Sequence, residues 1–161
     1  MSALGHLYRA LADFRYKIRQ FLNFSERAAR AAGLEPQQHQ ALLTIKGLPP
    51  VQEPTVGYLA ERLQIRHHTA VELAARLEKK RLIRRSRSDV DRRHVNLFLT
   101  PRGERFLRNL SQAHRAELRS AGPKLLRALA TTVKLRDEVK GKDRAAARNP
   151  QKLISTRRKR S

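Results

Sequence analysis

The chain has 161 residues, 40% of them apolar, which suits one domain with a packed core and does not call for a second. The absence of cysteine excludes disulfides and thiol chemistry, and no apolar run is long enough to span a membrane. The 36 basic residues outnumber the 14 acidic ones and give a net charge of +22, spread along the whole chain. Such a charge attracts polyanions, either nucleic acid or an anionic membrane, although a merely solvated basic surface is the alternative.

The N-terminal segment is predicted to form a long helix. Leucine and aromatic residues recur at helical spacing from Leu4 to Leu22, with arginine and lysine between them. Gly33 suits the left-handed conformation that ends many helices. A second helix is predicted to begin at Pro36, which fits a first helical turn, and to stop at Gly47.

Two shorter helices joined by a tight turn are predicted next, in TVGYLAERLQI, which begins on a threonine cap at Thr55, and in RHHTAVELAARLEKK. Four residues of the second helix follow the i, i+3, i+4, i+7 spacing of one buried stripe. They are Ala70, Leu73, Ala74 and Leu77. The opposite side carries His67, His68, Thr69, Glu72, Arg76 and Lys79. Such a helix fits the major groove of DNA, and an ordinary amphipathic helix with a solvated face is the alternative.

A β hairpin with arms Leu82–Ser88 and His94–Leu99 is predicted after these helices. Three apolar residues of the second arm alternate inward: Val95, Leu97 and Leu99. The tip Asp89–Arg93 would then project from the core as a wing. An arginine there, Arg93, can enter a narrow minor groove, and Asp91 could fix its direction. A plain solvated β turn is the alternative.

The C-terminal part is predicted to contain two more helical segments and a tail. Thr100-Pro101 should cap a helix that runs to Ser120–Pro123, and a last apolar segment follows from Leu125 to Val133. Residues 137–161 have few apolar side chains and abundant charge, so they are predicted to form a flexible basic tail that attracts nucleic acid.

The order of these elements resembles that of the MarR-type winged helix-turn-helix transcriptional regulators. Their signature is an Asp-x-Arg wing followed by a strand and Leu-Thr-x-x-Gly. Here its positions are Asp91, Arg93, Leu99, Thr100 and Gly103. The resemblance covers nearly all of residues 4–136. Relatives usually have glycine at the position of Arg81. Arginine departs from this pattern, and it tolerates a positive φ poorly.

The resemblance implies a mainly α fold: a winged helix-turn-helix with a two-stranded β wing, flanked by N- and C-terminal dimerisation helices. Within residues 1–136, segment 34–100 would be the DNA-binding core, and segments 1–33 and 101–136 would dimerise. The apolar stripes of those flanking helices independently call for a partner surface. A monomer with the helices folded back over the core is the alternative.

The resemblance also implies a homodimer that binds a palindromic duplex operator, usually as a repressor released by a small aromatic or anionic ligand. The residues expected to face the major groove are His68, Thr69, Glu72 and Arg76. Those expected to meet phosphates are Arg66, His67, Lys79 and Arg87. The wing residues expected to contact DNA are Asp91, Arg92 and Arg93. Tyr8, Arg15 and Tyr16 on the first helix are candidates for holding the effector, with core or dimer packing as the alternative.

Other chemistry is not expected. His67 and His68 diverge by about 100° on a helix and no further ligand pattern accompanies them, so no metal is predicted. His39 and His114 are interpreted as helix-surface or interface residues. No cofactor motif and no catalytic motif occurs, so an enzyme is not expected.

The N-terminus shows no export signal, and a cytoplasmic location with association to a bacterial nucleoid is predicted. An architectural protein that coats nucleic acid without reading sequence is the second hypothesis. A ligand-sequestering or protein-interaction dimer is the third.

Overall fold

The computed structural model describes the backbone of residues 3–87 and 95–148, and the side chains of residues 4–87 and 95–135. Within these residues the chain is mainly helical with one two-stranded antiparallel sheet, which confirms the predicted fold class. The elements are α1 (Ala3–Ala31), α2 (Pro36–Lys46), α3 (Val56–Leu63), α4 (His67–Lys79), β1 (Ile83–Arg87), β2 (Val95–Leu99) and α5 (Pro101–Arg148).

The chain divides into two compact units. The helical unit contains α1 up to Leu22 and α5 from Glu117 onward, and the winged unit contains Asn23–Ala116. The core of the winged unit extends beyond the predicted segment 34–100, because Ala29 of α1 and Leu107 of α5 are buried in it. The ends of both long helices therefore contribute to the packing of the winged unit.

The predicted end of α1 and beginning of α2 are confirmed. Gly33 has a φ of 79°, and the Leu34 N–H donates to the Ala29 carbonyl at 3.0 Å. Pro36 lies in the first turn of α2, and Glu35 and Gln38 form a reciprocal capping box before it. Each of these ends satisfies backbone groups that a helix terminus leaves without partners.

The buried stripe predicted for α4 is confirmed. Its four residues, Ala70, Leu73, Ala74 and Leu77, are each at most 1% exposed. They pack with residues of α2, α3 and the hairpin in one core cluster. This packing fixes the rotation of α4 about its axis, so the opposite face of the helix is directed away from the core.

The predicted end of the helix after Thr100 is wrong. Helix α5 does not stop at Ser120–Pro123 but continues through Pro123 to Arg148. A proline inside a helix removes the hydrogen bond to the carbonyl four residues earlier, here that of Arg119. Because Arg119 and Pro123 are both exposed, water can satisfy that carbonyl.

Helix α5 also extends into the segment predicted to be a flexible tail. The described backbone is helical as far as Arg148, and residues 149–161 lie outside the described part of the chain. The flexibility of segment 137–161 stays a prediction.

The turn from α4 to β1 places Arg81 in the left-handed region, with a φ of 57°. The Arg81 N–H donates to the Glu78 carbonyl at 2.7 Å, and the Leu82 N–H donates to the Leu77 carbonyl at 3.0 Å. This pair of bonds is the Schellman arrangement that glycine usually completes. Arginine adopts the same backbone here at an energetic cost, because a left-handed conformation crowds its Cβ.

Replacing Arg81 with glycine is expected to raise the free energy of unfolding by about 1 kcal/mol, because the strained φ is relieved. Urea unfolding of the two proteins measures this difference. As a control, Arg105→Gly, at an exposed position inside α5, should lower stability by about 1 kcal/mol because glycine disfavours a helix interior. A loss of stability in Arg81→Gly would contradict the inferred strain.

The rings of His39 and His114 contact each other inside the winged unit. The interpretation of His39 as a surface or interface residue is wrong, because this chain alone buries it, whereas His114 is half-buried. His39 of α2 is 4% exposed, and its ring centroid lies 4.7 Å from that of His114 on α5. His114 Nδ1 lies 2.6 Å from the Leu110 carbonyl, and its Nε2 lies 2.8 Å from Ser25 Oγ on α1. The histidine pair therefore links three helices. Burial lowers the pKa of His39, and the charge of His114 lowers it further.

Stability is expected to decrease as the pH falls below 6.5, the ordinary pKa of histidine. Because the pKa of His39 is lowered in the folded state, the unfolded chain takes up a proton first as the pH drops, and unfolding becomes more favourable. Urea unfolding at a series of pH values measures this trend. His39→Gln should flatten it, whereas His6→Gln, at an exposed position on α1, should leave it unchanged. Equal slopes for His39→Gln and the parent would refute this role for His39.

Candidate nucleic-acid interface

A helix-turn-helix lies at the centre of the winged unit. Helix α3 begins after Thr55, whose Oγ1 accepts a hydrogen bond from the Tyr58 N–H at 3.0 Å, as predicted for a threonine cap. It ends at Gln64, which has a left-handed φ of 53°. Arg66 returns to extended backbone, and α4 starts at His67. This short turn lets the buried faces of α3 and α4 pack on each other.

The hairpin is joined to the helix-turn-helix along the outer edge of β2. Thr55 forms a bridge with Asn96, and the Leu97 N–H donates to the Pro54 carbonyl at 2.8 Å. Asn96 is only 8% exposed, although strand alternation directs it away from the face that carries Leu97. The residue that caps α3 thus also fixes the hairpin.

The polar face predicted for α4 is exposed. Its members His67, His68, Glu72, Arg76 and Lys79 are exposed, and Thr69 is half-buried. Arg66, at the N-cap of the helix, is exposed as well. The structure thus places the six predicted residues of α4 where the core does not fully cover them, with Arg66 exposed just before the helix. Their contacts with DNA stay predictions.

Two apolar residues on the same side of α4 are not singled out by the charge pattern. Val71 is 39% exposed, and Ala75 is exposed. At 3.6 residues per turn, Ala75 points within about 20° of His68 and about 40° of Lys79, so helical geometry alone would have identified it. Small apolar side chains on such a face can contact the methyl group of thymine.

The two flanks of α4 face different neighbours. Arg76 lies toward α2, where it lines a cavity of about 430 Å³ together with Arg30 and Gln37. His67 lies toward the hairpin, where it lines a cavity of about 330 Å³ together with Arg85. The exposed face of α4 is therefore bordered by the first turn of α2 on one side and by β1 on the other.

Strand β1 adds basic residues beside α4. After the buried Ile83, the rest of the strand is exposed, including Arg84, Arg85 and Arg87. The Arg84 guanidinium lies 4.3 Å from the centroid of the Phe98 ring, which restrains it by a cation–π contact. Arg87, a predicted phosphate contact, is thus placed at the outer end of the described hairpin.

An ion pair joins the end of α4 to β1. Arg85 donates to Glu78 Oε2 through Nε at 2.6 Å, and its Nη2 lies 2.5 Å from the same oxygen. The backbone N–H of Arg85 donates to the other carboxylate oxygen at 3.2 Å. The side-chain hydrogen bond from Arg85 is the main cause that lowers the pKa of Glu78, and the carboxyl therefore stays ionised at neutral pH.

The predicted wing contacts Asp91, Arg92 and Arg93 lie outside the described residues. The predicted effector residues Tyr8, Arg15 and Tyr16 are exposed on α1 in the helical unit. A cavity of about 260 Å³ in that unit is lined by other residues of α1 and α5: Ala10, Asp13, Lys17, Lys124, Arg127, Ala128 and Thr131. The effector role of the three predicted residues is untested.

The described residues show neither a metal-binding cluster nor a membrane helix. No three His, Asp or Glu side chains in this part of the chain come together as metal ligands would. None of the helices in the described ranges has both the length and the apolar character needed to cross a bilayer.

Comparisons with known proteins found one family model that matches part of the chain and several structures with a similar fold. Residues 32–94 match the model of the MarR family, while no curated protein matches the sequence. A crystal structure of a MarR family transcription regulator superposes with a TM-score of 0.68 at 21% identity, over 88% of this chain and 94% of that chain.

Two other similar structures contain ligands. One is a MepR variant from Staphylococcus aureus bound to an oligodeoxyribonucleotide, with a TM-score of 0.54 and 20% identity over 89% of this chain and 94% of that chain. The other is CouR from Rhodococcus jostii bound to p-coumaroyl-CoA, with a TM-score of 0.54 and 19% identity over 62% of this chain and 68% of that chain. The family model shows that residues 32–94 are similar to the MarR family, and the superposed structures show that the chain shares the fold of such regulators.

Proposed function

We propose that the chain is a transcriptional regulator that binds duplex DNA through α4 and the hairpin. The observation that carries this proposal is the division of α4 into a fully buried stripe and an exposed face bearing histidine, arginine and lysine. A helix so mounted on a helix-turn-helix can lie in a major groove while the adjoining hairpin follows the backbone. The bound oligodeoxyribonucleotide of the MepR variant supports the same partner.

Each part of this surface has a chemical role in the proposal. His68, Thr69, Glu72 and Arg76 face base edges, where Glu72 can accept a hydrogen bond from the amine of cytosine. Cations at the border of the helix and on the strand meet phosphates. These are Arg66, His67, Lys79 and Arg87. The net charge of +22 makes the phosphate contribution large and sensitive to salt.

The regulator acts as a homodimer in this proposal. The helical unit exposes large apolar side chains on both of its helices: Leu4, Tyr8, Leu11, Tyr16 and Leu22 on α1, and Leu118, Leu126, Leu129 and Val133 on α5. Apolar surface of this extent is typical of an interface between copies. A two-fold dimer would present two α4 helices to successive major grooves of a palindromic operator.

We further propose that the protein is a repressor released by a small anionic or aromatic effector, held by Tyr8, Arg15 and Tyr16. An arginine between tyrosines can pair with an anionic group while the rings pack against an aromatic one. The p-coumaroyl-CoA bound to CouR is both aromatic and anionic, which supports this class. Titration of aromatic carboxylates and their CoA esters into a DNA complex tests the idea, and an affinity indifferent to all of them would contradict it.

Selection from a pool of random duplexes tests the function itself. Enrichment of a roughly palindromic site is expected for the regulator. Uniform recovery would instead favour an architectural protein that coats nucleic acid in the nucleoid, the alternative supported by the high net charge. Failure to recover DNA would favour a ligand-sequestering or protein-interaction dimer.

For the regulator, the logarithm of the affinity should fall with the logarithm of salt concentration, with a slope of about −0.9 per phosphate contacted.

Replacing Arg93 with alanine is expected to weaken binding to the enriched site by about 1–3 kcal/mol, because an arginine in a narrow minor groove meets the strongest negative potential. Fluorescence anisotropy at fixed salt measures the loss. Arg115→Ala, at an exposed position on α5, removes the same charge and should have a much smaller effect. Parental affinity in Arg93→Ala would mean that the wing does not contact the operator through this residue.

A further inference from the structure

We propose that Glu78 is a positioning residue for DNA recognition, because it holds β1 against the end of α4 and occupies the Arg85 side chain. This inference rests on the proposed DNA-binding function and assigns a role within the same surface. Glu78 itself does not touch DNA in this proposal. It acts by fixing the direction of the hairpin relative to the helix and by withholding one cation from phosphates.

The hairpin is attached to the helix-turn-helix on both of its edges. On the edge of β2, the Leu97 N–H donates to the Pro54 carbonyl just before α3. Leu97 is the register partner of Arg85, whose own N–H points to the opposite edge and donates to Glu78. The two attachments therefore lie at the same level of the ribbon, one made by backbone and the other by an ionised side chain.

The contact between Glu78 and Arg85 lies far enough along β1 to restrain the direction of the hairpin. Toward the core, Ile83 is 2% exposed and anchors β1. Beyond Arg85 the strand is exposed as far as Arg87, and among the described residues the Glu78 carboxylate makes the outermost hydrogen bonds between α4 and β1. A small rotation of β1 at Arg85 would therefore move Arg87 by a larger distance.

The carboxylate also changes the electrostatics of the surface. Arg85 lines the cavity between α4 and the hairpin together with His67 and Val71, so it lies beside the helix face that is proposed to enter the groove. Bound at 2.5–2.6 Å by Glu78, it is neutralised and directed along the protein surface. Once released, it would be one more mobile cation, which binds any phosphate regardless of sequence.

The test is Glu78→Gln, which keeps an oxygen for the Arg85 N–H but removes the charge. Binding is measured by fluorescence anisotropy over a salt series, on a random-sequence duplex and on the site enriched by the parent. We expect the random duplex to bind more tightly, with a salt slope steeper by about 0.9, the amount for one further phosphate contact. We expect the ratio of specific to random affinity to fall about threefold to tenfold.

Glu104→Gln is the matched control. It removes the same charge from a carboxylate of similar exposure, which forms an ion pair with Lys46 on α2. A steeper slope in both variants would reduce the effect to net charge and overturn the proposal. Arg85→Lys is the second variant, because it keeps the cation but loses the two-point contact. It should lower the affinity ratio while the slope stays within about half a unit of the parent.

An unchanged slope and an unchanged ratio in Glu78→Gln would overturn the proposal, and so would an unchanged ratio in Arg85→Lys. A loss of folding would appear as weaker binding to both duplexes, the opposite of the expected gain on the random one. The proposed function fails in a different way, since the parent would then enrich no site. In that event the salt slope on the random duplex still decides whether Glu78 withholds Arg85 from phosphate.

Discussion

Replacing Gly103 with alanine is expected to lower the free energy of unfolding by about 3 kcal/mol or more, the upper range for inserting an atom into a packed site. A Cβ on Gly103 would lie 2.0 Å from the Leu82 carbonyl oxygen and 3.0 Å from its carbonyl carbon. Both are backbone atoms, so no side chain can turn aside to make room. Either the start of α5 or the start of the hairpin must move.

The hydrogen bonds around Gly103 would transmit this displacement to the residues they connect. The Gly103 N–H donates to Thr100 Oγ1 at 3.1 Å, and that hydroxyl in turn donates to the Arg81 carbonyl at 2.7 Å. The Thr100 N–H also donates to the Leu82 carbonyl at 3.0 Å. The Leu-Thr-x-x-Gly signature therefore forms a joint that fastens the base of the hairpin to the first turn of α5. We expect Gly103→Ala to weaken DNA binding together with stability.

Thermal unfolding followed by circular dichroism measures the effect, and a decrease of roughly 10 °C corresponds to about 3 kcal/mol for a chain of this size. Gly122→Ala is the matched control on the same helix. Apart from its chain neighbours and the nearby backbone of the helix, no atom of the described residues lies within 4 Å of a Cβ built there. The higher helix propensity of alanine and the contact of its Cβ with the following Pro123 act in opposite directions, so stability should change by less than about 1 kcal/mol. A Gly103→Ala protein as stable as the parent would show that the contact with Leu82 is not tight.

Replacing two leucines on the apolar face of the helical unit with glutamate is expected to abolish dimerisation. Leu126 is 66% exposed and Leu129 is 41% exposed, both on α5. If a second copy covers this face, Leu126→Glu combined with Leu129→Glu would place four carboxylates in a desolvated interface, at a cost of several kcal/mol for each buried charge. The protein should then elute as a monomer in size-exclusion chromatography with light scattering.

The monomer should also bind a palindromic site about 100-fold or more weakly, because linked binding of two half-sites is lost. Val51→Glu serves as the control for added charge, since Val51 is 93% exposed in the loop before α3 and lies in the winged unit. It should leave both the mass and the affinity unchanged. If the double variant stays dimeric, the dimer interface lies on another surface of the protein.

The parts of the fold that sequence predicted correctly are those decided by local periodicity. The stripe of α4 follows from spacing alone, because a helix repeats every 3.6 residues wherever it packs. Thr55 and Gly33 were identifiable because a helix end needs specific side chains and dihedral angles within a few residues. The exposed face of α4 then follows from its buried face, which is why the predicted α4 residues lie together on it.

The features that sequence did not reveal depend on distant partners. Nothing in the spacing of Glu78 and Arg85 indicates that a reversal of the chain brings them within 2.6 Å. His39 and His114 meet only because α2 packs beside α5, which no local pattern encodes. The rule that a proline ends a helix predicts a helix end at Pro123, but the helix continues on both sides of this residue.

The attachment of the hairpin on both edges has a consequence for the behaviour of the protein at high concentration. A two-stranded ribbon ordinarily offers unpaired N–H groups along its margins, and these can recruit a strand from another molecule and start aggregation. At Arg85 and Leu97 the outward N–H groups are already taken by Glu78 and Pro54. The two hydrogen bonds that orient the hairpin therefore also make these N–H groups unavailable for pairing with a strand of another molecule.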